Sequence, residues 1–283
     1  MDFLNHPDTD LIILRALQED LGDGDHTTLS TVPTGHIAKA RCLIKDHGVL
    51  AGIELAQRVF FLVDPSLTME IFMNDGDVAH KGDVAFIVTG DPRSILQAER
   101  IVLNFMQRMS GIATVSREVS AVIADLPCQI LDTRKTTPLI RHMEKWAVKI
   151  GGATNHRFGL YDMVMIKDNH SDYAGGITPA VLACQAYLAE NGLSLKIEVE
   201  TRNLDEVQEA LAVGGVDIIM LDNMSHQMMR EAVAMIGGRA KTEASGGILP
   251  EDVREVALTG VDYISMGYLT HSAPSLDISL KAI

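Results

Sequence analysis

Apolar residues recur at helical spacing in two early stretches, "DTDLIILRALQEDLG" and the run from Pro92 that carries Ile95, Ala98, Ile101, Val102, Phe105 and Met109. Spacings of three and four predict an amphipathic helix at each. Between them lie short alternating segments, "IAKARCLIKDHGVLAG" and "TMEIFMNDGDVAHKGDVAFIVTG". Asp-Gly and Lys-Gly-Asp steps break them, so they predict strands joined by tight turns. Residues 1–108 therefore read as an α+β domain.

From Cys128 the pattern becomes regular. Six β-rich runs follow one another: "CQILDTR", "MVMIKDN", "KIEVE", "DIIMLDN", "AKTEASGGI" and "DYISMG". Helix-period segments separate most of them. "NLDEVQEALAVGG" opens on Asn203 with Glu206 three residues on, a capping-box spacing, and closes on Gly214. "LPEDVREVALTG" has Pro250 in its first turn, acids after it and Gly260 at its end. The last four runs recur every ~20–24 residues, the span of one strand plus one helix, which predicts a parallel sheet. With no GxGxxG fingerprint to open a dinucleotide-binding half, the expected class is α/β. A barrel, complete or incomplete, would occupy residues 109–274. Residues 275–283 would form a tail on the N-terminal domain.

Composition narrows the function classes. Hydrophobic residues make up 47% and charged residues 22% of 283 positions, enough for a large core. The longest apolar runs, such as "RVFFLV", are too short to span a bilayer. The acidic "MDFLNHPDTD" lacks the features of a signal peptide. Cys42, Cys128 and Cys184 are scattered, form no CxxC pair and read as reduced residues of a cytoplasmic protein. With 38 acids against 24 Lys and Arg, the net charge of −14 argues against nucleic-acid and membrane partners. One segment reverses that balance. From Arg134 to His170 seven bases face three acids, and three histidines join them.

In β/α barrels the strand C-termini and the loops after them build the active site. The six runs end, in order, in Asp132-Thr133-Arg134-Lys135, in Lys167-Asp168, in Glu198 and Glu200, in Asp222-Asn223, in Glu243-Ser245-Gly246-Gly247, and in Ser265 and Gly267. Cations from two strands, carboxylates from two and small residues from two would converge on one mouth. "ASGGI" before "LPEDVREV" suits a phosphate at a glycine turn, with Gly267 and His271 of "SMGYLTHSA" as a second wall; the competing reading is a tight turn alone. Arg134 and Lys135 match carboxylate or phosphate oxygens, where a solvated loop is the plainer alternative. Lys167 ends an apolar strand and calls for an anion, a Schiff-base role or an ion pair with Asp168 or Glu200. Glu200 and Asp222 suit Mg²⁺ or ribose hydroxyls, against simple pairing with Lys135 and Lys167. Strand alternation puts Glu198 and Glu200 on one face and does not choose between them. Tyr161, Asp162 and Asp168 read equally as structural or functional. His36, His80, His142 and His226 show no metal-ligand spacing and read as surface or helix residues.

These residues resemble the quinolinate phosphoribosyltransferase family, also called nicotinate-nucleotide pyrophosphorylase (carboxylating). The resemblance runs through "EDLGDGDHTT", "AER…LNFMQRMSGIAT", "TRKTTP", "EKWAVKIGGATNHRFGLYDMVMIKDNH", "EVE", "IIMLDN", "EASGGI" and "VDYISMG…THS". It implies a mixed N-terminal domain, an open α/β barrel and an active site completed across a homodimer, or within a higher oligomer. It implies that Arg134, His156, Arg157, Lys167 and a neighbour's Arg100 hold the pyridine dicarboxylate. Lys135, Glu200 and Asp222 would flank the phosphoribosyl diphosphate with Mg²⁺ on the two carboxylates. Ser245, Gly246, Gly247, Gly267 and His271 would take its 5′-phosphate. Glu200 aligns when "NLDE" is kept in register. The family usually has Gly after "TRKTTP", where this chain has Leu139. Three alternatives are a related phosphoribosyltransferase for another aromatic base, a Schiff-base aldolase on Lys167, and a non-catalytic phosphosugar-binding module.

Overall fold

The computed structural model describes residues 3–283. Along the chain come α1 (Thr9–Leu21), α2 (His26–Thr31), β1 (Ala38–Ile44), β2 (Gly48–Val49), α3 (Ile53–Val63), β3 (Thr68–Ile71), β4 (Val78–Ala79), β5 (Val84–Gly90) and α4 (Pro92–Val122). Next are β6 (Gln129–Leu131), α5 (Arg141–Ile150), β7 (Val164–Ile166), α6 (Asp168–Ala174), α7 (Ile177–Glu190), β8 (Ile197–Thr201) and α8 (Leu204–Val213). The last are β9 (Ile218–Asp222), α9 (His226–Ile236), β10 (Lys241–Ser245), α10 (Val253–Ala257), β11 (Tyr263–Ser265), α11 (Tyr268–His271) and β12 (Ile278–Ala282). No helix among the described residues is long and apolar enough to cross a membrane.

Two compact units share these elements. The first takes residues up to Arg117, Thr136–Gly152 and Leu269–Ile283; the second takes Glu118–Lys135 and Ala153–Tyr268. The expected boundary at residue 108 falls inside α4, a helix of 31 residues. α4 runs on through Ser110-Gly111. Gly111 is there for close approach: a Cβ would collide with the Pro274 carbonyl. The segment around Pro274 leads into β12, which pairs antiparallel with β1, Ile278 opposite Ile44.

The first unit carries a four-stranded sheet, ordered β12-β1-β5-β3. Its core includes Phe60 of α3 edge-on to Phe86 of β5, centroids 6.0 Å apart. Glu144 of α5 is fully buried and accepts from Arg108 of α4 at 2.9 Å and from the Thr137 N–H and hydroxyl at 2.9 and 2.7 Å. A buried carboxylate is tolerable only with such partners. Leu139 follows in the left-handed region, φ 72, and is 83% exposed. It adopts a conformation open to glycine at no steric cost, at a strain of about 1 kcal/mol for leucine. His142 on α5 is buried rather than at the surface. It bonds Thr9 Oγ1 at 3.2 Å and stacks on His6, and burial pulls its pKa down to about 4.

The second unit is the α/β layer. Six parallel strands run in the order β6-β11-β10-β9-β8-β7, and the sheet does not close on itself. All five residues of β8 are buried, as befits a parallel strand covered on both faces. Asn203 caps α8 by accepting the Glu206 N–H at 3.0 Å. The Glu206 carboxylate turns to the Arg202 N–H at 2.6 Å, so the reciprocal half of the expected capping box goes to its neighbour. After β10 the expected helix is only a 3₁₀ turn, Pro250–Asp252, and the five-residue α10.

Candidate active site at the strand ends

The strand C-termini of the second unit gather most of the expected residues. Beyond β6, Asp132 is fully buried. Its carboxylate accepts the His156 N–H at 2.9 Å and the Asn155 amide at 2.7 Å. Those bonds, with Thr154 N–H on the Ile130 carbonyl at 2.8 Å, tie residues 154–157 to the open edge of the sheet. Arg134 and Lys135 follow, both exposed.

Arg157 is half-buried and donates to the Met163 carbonyl at 3.1 Å. Burial lowers its pKa, and the positive charge of Arg134 lowers it further. Guanidiniums whose charges act on one another suit a polyanion. Asp162 takes the Phe158 and Gly159 N–H groups at 2.7 and 2.9 Å, a purely structural use. Tyr161 is exposed.

Lys167 Nζ lies 2.6 Å from Glu200 Oε2, and the Asp168 N–H approaches Glu200 Oε1 at 3.3 Å. Glu200 of β8 is level with Met220 of β9, and two residues further on Asp222 closes β9 level with Ser245 of β10. Burial raises the Asp222 pKa; the Asn223 amide opposes this, while Glu200 and Asp168 add to it. Glu200 and Asp222, on adjacent strands, offer a donor set of hard oxygens. Mg²⁺ fits such a pair when substrate phosphates complete its coordination.

Below this layer lies one that the sequence reading did not assign. Glu198 and Glu243 point inward from β8 and β10, each two residues before Glu200 and Ser245, and both are fully buried. His156 Nε2 sits 3.1 Å from a Glu198 oxygen and 3.2 Å from a Glu243 oxygen. Nε2 therefore stands between two carboxylates at ion-pair distance. The three side chains have the spacing of metal ligands, and among the described residues Glu200 and Asp222 form no such group with a third His, Cys, Asp or Glu. With 5% of its side chain exposed, His156 lies beneath the mouth rather than on it.

Protonation of this group is set by two opposing effects. Burial disfavours an imidazolium, but the two carboxylates outweigh it and push the His156 pKa up to about 10. Against that, Nδ1 accepts the Arg157 N–H at 2.7 Å, which places the ring proton on Nε2. The hydrogen bond is the more direct constraint. A second proton then belongs to the carboxylates, and burial, opposed by His156 and aided by Glu243, raises Glu198 to about 7. The native state thus holds a proton that an unfolded glutamate releases above its ordinary pKa. That contribution is complete at low pH and is lost as pH rises through the raised Glu198 pKa. Urea midpoints of the wild type should therefore fall between about pH 5 and 8 relative to those of Glu198→Gln. Parallel curves for the two proteins would show that Glu198 folds as an ordinary carboxylate.

Ser245 leads into Gly246 (φ 105) and Gly247 (φ 61). A Cβ on Gly246 would strike Asn223, lying 2.5 Å from its Cγ and 2.8 Å from its N. Asn223 is itself left-handed, φ 52. With the following helix so short, the backbone N–H groups of this turn outweigh any helix dipole as an anion site. Gly267 follows β11 in the same unit, whereas His271 and Arg100 belong to the first unit. His271 pairs with Ser272 Oγ at 2.7 Å. Arg100 is exposed on α4.

Comparison with known proteins places this geometry. Residues 25–110 match the family model "Quinolinate phosphoribosyl transferase, N-terminal domain", and residues 112–281 match that for the C-terminal domain. A nicotinate-nucleotide pyrophosphorylase (carboxylating), chloroplastic, of Oryza sativa subsp. japonica is 49% identical over 98% of this chain and 78% of its own. A mitochondrial quinolinate phosphoribosyltransferase (decarboxylating) 2b of Nicotiana tabacum is 48% identical over 98% of this chain and 83% of its own. The crystal structure of NadC from Streptococcus pyogenes superimposes with a TM-score of 0.91 at 40% identity, covering 97% of this chain and 96% of the other. The expected cytoplasmic location is overturned by these relatives, whose names place them in chloroplasts and mitochondria.

Proposed function

The chain belongs to the quinolinate phosphoribosyltransferase family, and from that premise we propose how its strand-end residues serve the reaction. The enzyme transfers the phosphoribosyl group of phosphoribosyl diphosphate to quinolinate. The products are nicotinate mononucleotide, pyrophosphate and CO₂, in de novo NAD synthesis. The observation that carries the assignment of roles is the meeting of cations and carboxylates at the strand ends, Lys167 Nζ lying 2.6 Å from Glu200 Oε2 beside the strand that ends in Asp222.

Both substrates are polyanions, which accounts for a cationic mouth on a chain of net charge −14. Arg134 and Arg157 hold the two carboxylates of the acceptor. His156 braces Arg157 from below through its N–H. Lys167, paired with Glu200, exchanges that partner for a substrate carboxylate. The pyridine nitrogen is already a nucleophile, so no strong general base is needed. As pyrophosphate leaves, positive charge builds on the ribose, and Glu200 and Asp222 lie where carboxylates would stabilise it. Lys135 offsets the charge of the leaving group. Glu200 and Asp222 would hold Mg²⁺, which would supply further positive charge against the leaving group. Ser245, Gly246, Gly247 and Gly267 receive the 5′-phosphate. Once ribosylated, the pyridinium ring is an electron sink: the adjacent carboxylate departs as CO₂, its bonding pair stays on the ring carbon as a ylide, and that carbon takes a proton from water. Most of the rate comes from alignment and electrostatics.

A second copy of the chain supplies Arg100, in an isologous dimer with two shared sites. Its support is an exposed arginine on α4 that no carboxylate of the described residues neutralises. The Schiff-base alternative is disfavoured because the Lys167 amine already donates to Glu200 and is 46% exposed.

Incubation with quinolinate, phosphoribosyl diphosphate and Mg²⁺ should yield nicotinate mononucleotide and CO₂ by mass detection. Nucleotide from nicotinate, but none from quinolinate, would move the chain to another acceptor. Within the same assay Arg157→Ala should raise the KM for quinolinate far more than that for phosphoribosyl diphosphate. A lost charge-assisted contact costs on the order of 2–4 kcal/mol. Equal losses for both substrates would sink the acceptor role of Arg157.

A further inference from the structure

Asn223 stands between two parts of the mouth. Its amide Nδ2 donates to Asp222 Oδ2 at 2.7 Å, and its N–H donates to the Ser245 carbonyl at 2.9 Å. Only the nitrogen end of an amide can face a carboxylate in this way, so the side chain has one orientation. The other end of the amide fills the space where Gly246 would carry a Cβ. The backbone is left-handed, which asparagine tolerates better than most residues. Strain of this kind persists where surrounding structure over-determines it, commonly at functional sites.

We propose that Asn223 is a positioning residue. It holds the Asp222 carboxylate and the Ser245–Gly247 turn in one register, so that the ribose and the 5′-phosphate of the donor are gripped together. This rests on the donor-binding reading of the mouth given above. Asparagine suits the position for two reasons. Aspartate would put a second negative charge beside Asp222. Glycine would keep the backbone and release the carboxylate.

Asn223→Gly separates these functions, because it retains the left-handed conformation and removes only the amide. Its melting temperature should stay within a few degrees of the wild type. Its kcat should fall about 10- to 100-fold, the range for a hydrogen bond to a charged group, with the KM for quinolinate within about twofold. Asn223→Asp should lose at least as much. A merely structural residue would lower the melting temperature and leave kcat in place. Crystal structures of wild type and Asn223→Gly, both free of ligand, supply a readout independent of turnover. In the variant the Asp222 carboxylate should leave its present rotamer. If Asp222 and the turn keep their places, or kcat of Asn223→Gly stays within about twofold, the positioning role is wrong. Should the wild type form no nicotinate mononucleotide, the functional reading fails by itself, and the crystal comparison decides the role of Asn223.

Discussion

Asp222→Asn should lower kcat by roughly a hundredfold or more while changing both KM values little. Asp222 ends β9, level with Ser245, with Asn223 holding one oxygen. The amide has nearly the same shape as the carboxylate, so packing at the strand end is preserved. What disappears is negative charge at the point where the ribose becomes positive. An interaction that strengthens only as charge develops acts on the transition state, so its loss falls on kcat. Burial amplifies the effect, since the same charge is screened less there than in water. Steady-state rates over a range of Mg²⁺ separate two roles. If kcat is near normal at saturating Mg²⁺ and only the metal dependence weakens, Asp222 positions the ion and does not stabilise the ribose.

The second large effect concerns Arg100. Arg100→Ala and Lys135→Ala proteins should each be nearly inactive alone. Mixed and allowed to exchange subunits, they should recover about a quarter of wild-type activity. The arithmetic follows from two-fold symmetry: half of the dimers are mixed, and each mixed dimer has one intact site and one with both losses. A site formed within a single chain gives no recovery, because every chain in the mixture is damaged. Subunit exchange can be followed by mass spectrometry of differently tagged chains. Exchange without recovery would rule out a shared site for Arg100.

Residues near one another in the chain were legible in the sequence. The six parallel strands, the polar ends of each and the Ser245–Gly247 turn all follow from patterns within a few residues. Periodicity sets element type locally, and every strand of a parallel layer exposes its C-terminus on the same side. Arg134 and Lys167 needed only that rule, whereas Arg157, which precedes β7, came from the family resemblance. Other features depended on long-range packing. Alternation placed Glu198 and Glu200 on one face; depth in the barrel separated them, with Glu198 under His156 and Glu200 against Lys167. His156 looked like a residue of the mouth, and its burial follows from anchoring to Asp132, 24 residues away. The need for glycine at 111 shows only in the packing of the Pro274 carbonyl against it. Asn223 followed Asp222 without any signal of its own, because a left-handed turn that fits Gly246 exists only once β9 and β10 lie side by side. Local pattern fixes which groups a strand offers, whereas depth, partner and protonation arise from neighbours that the chain brings together only on folding.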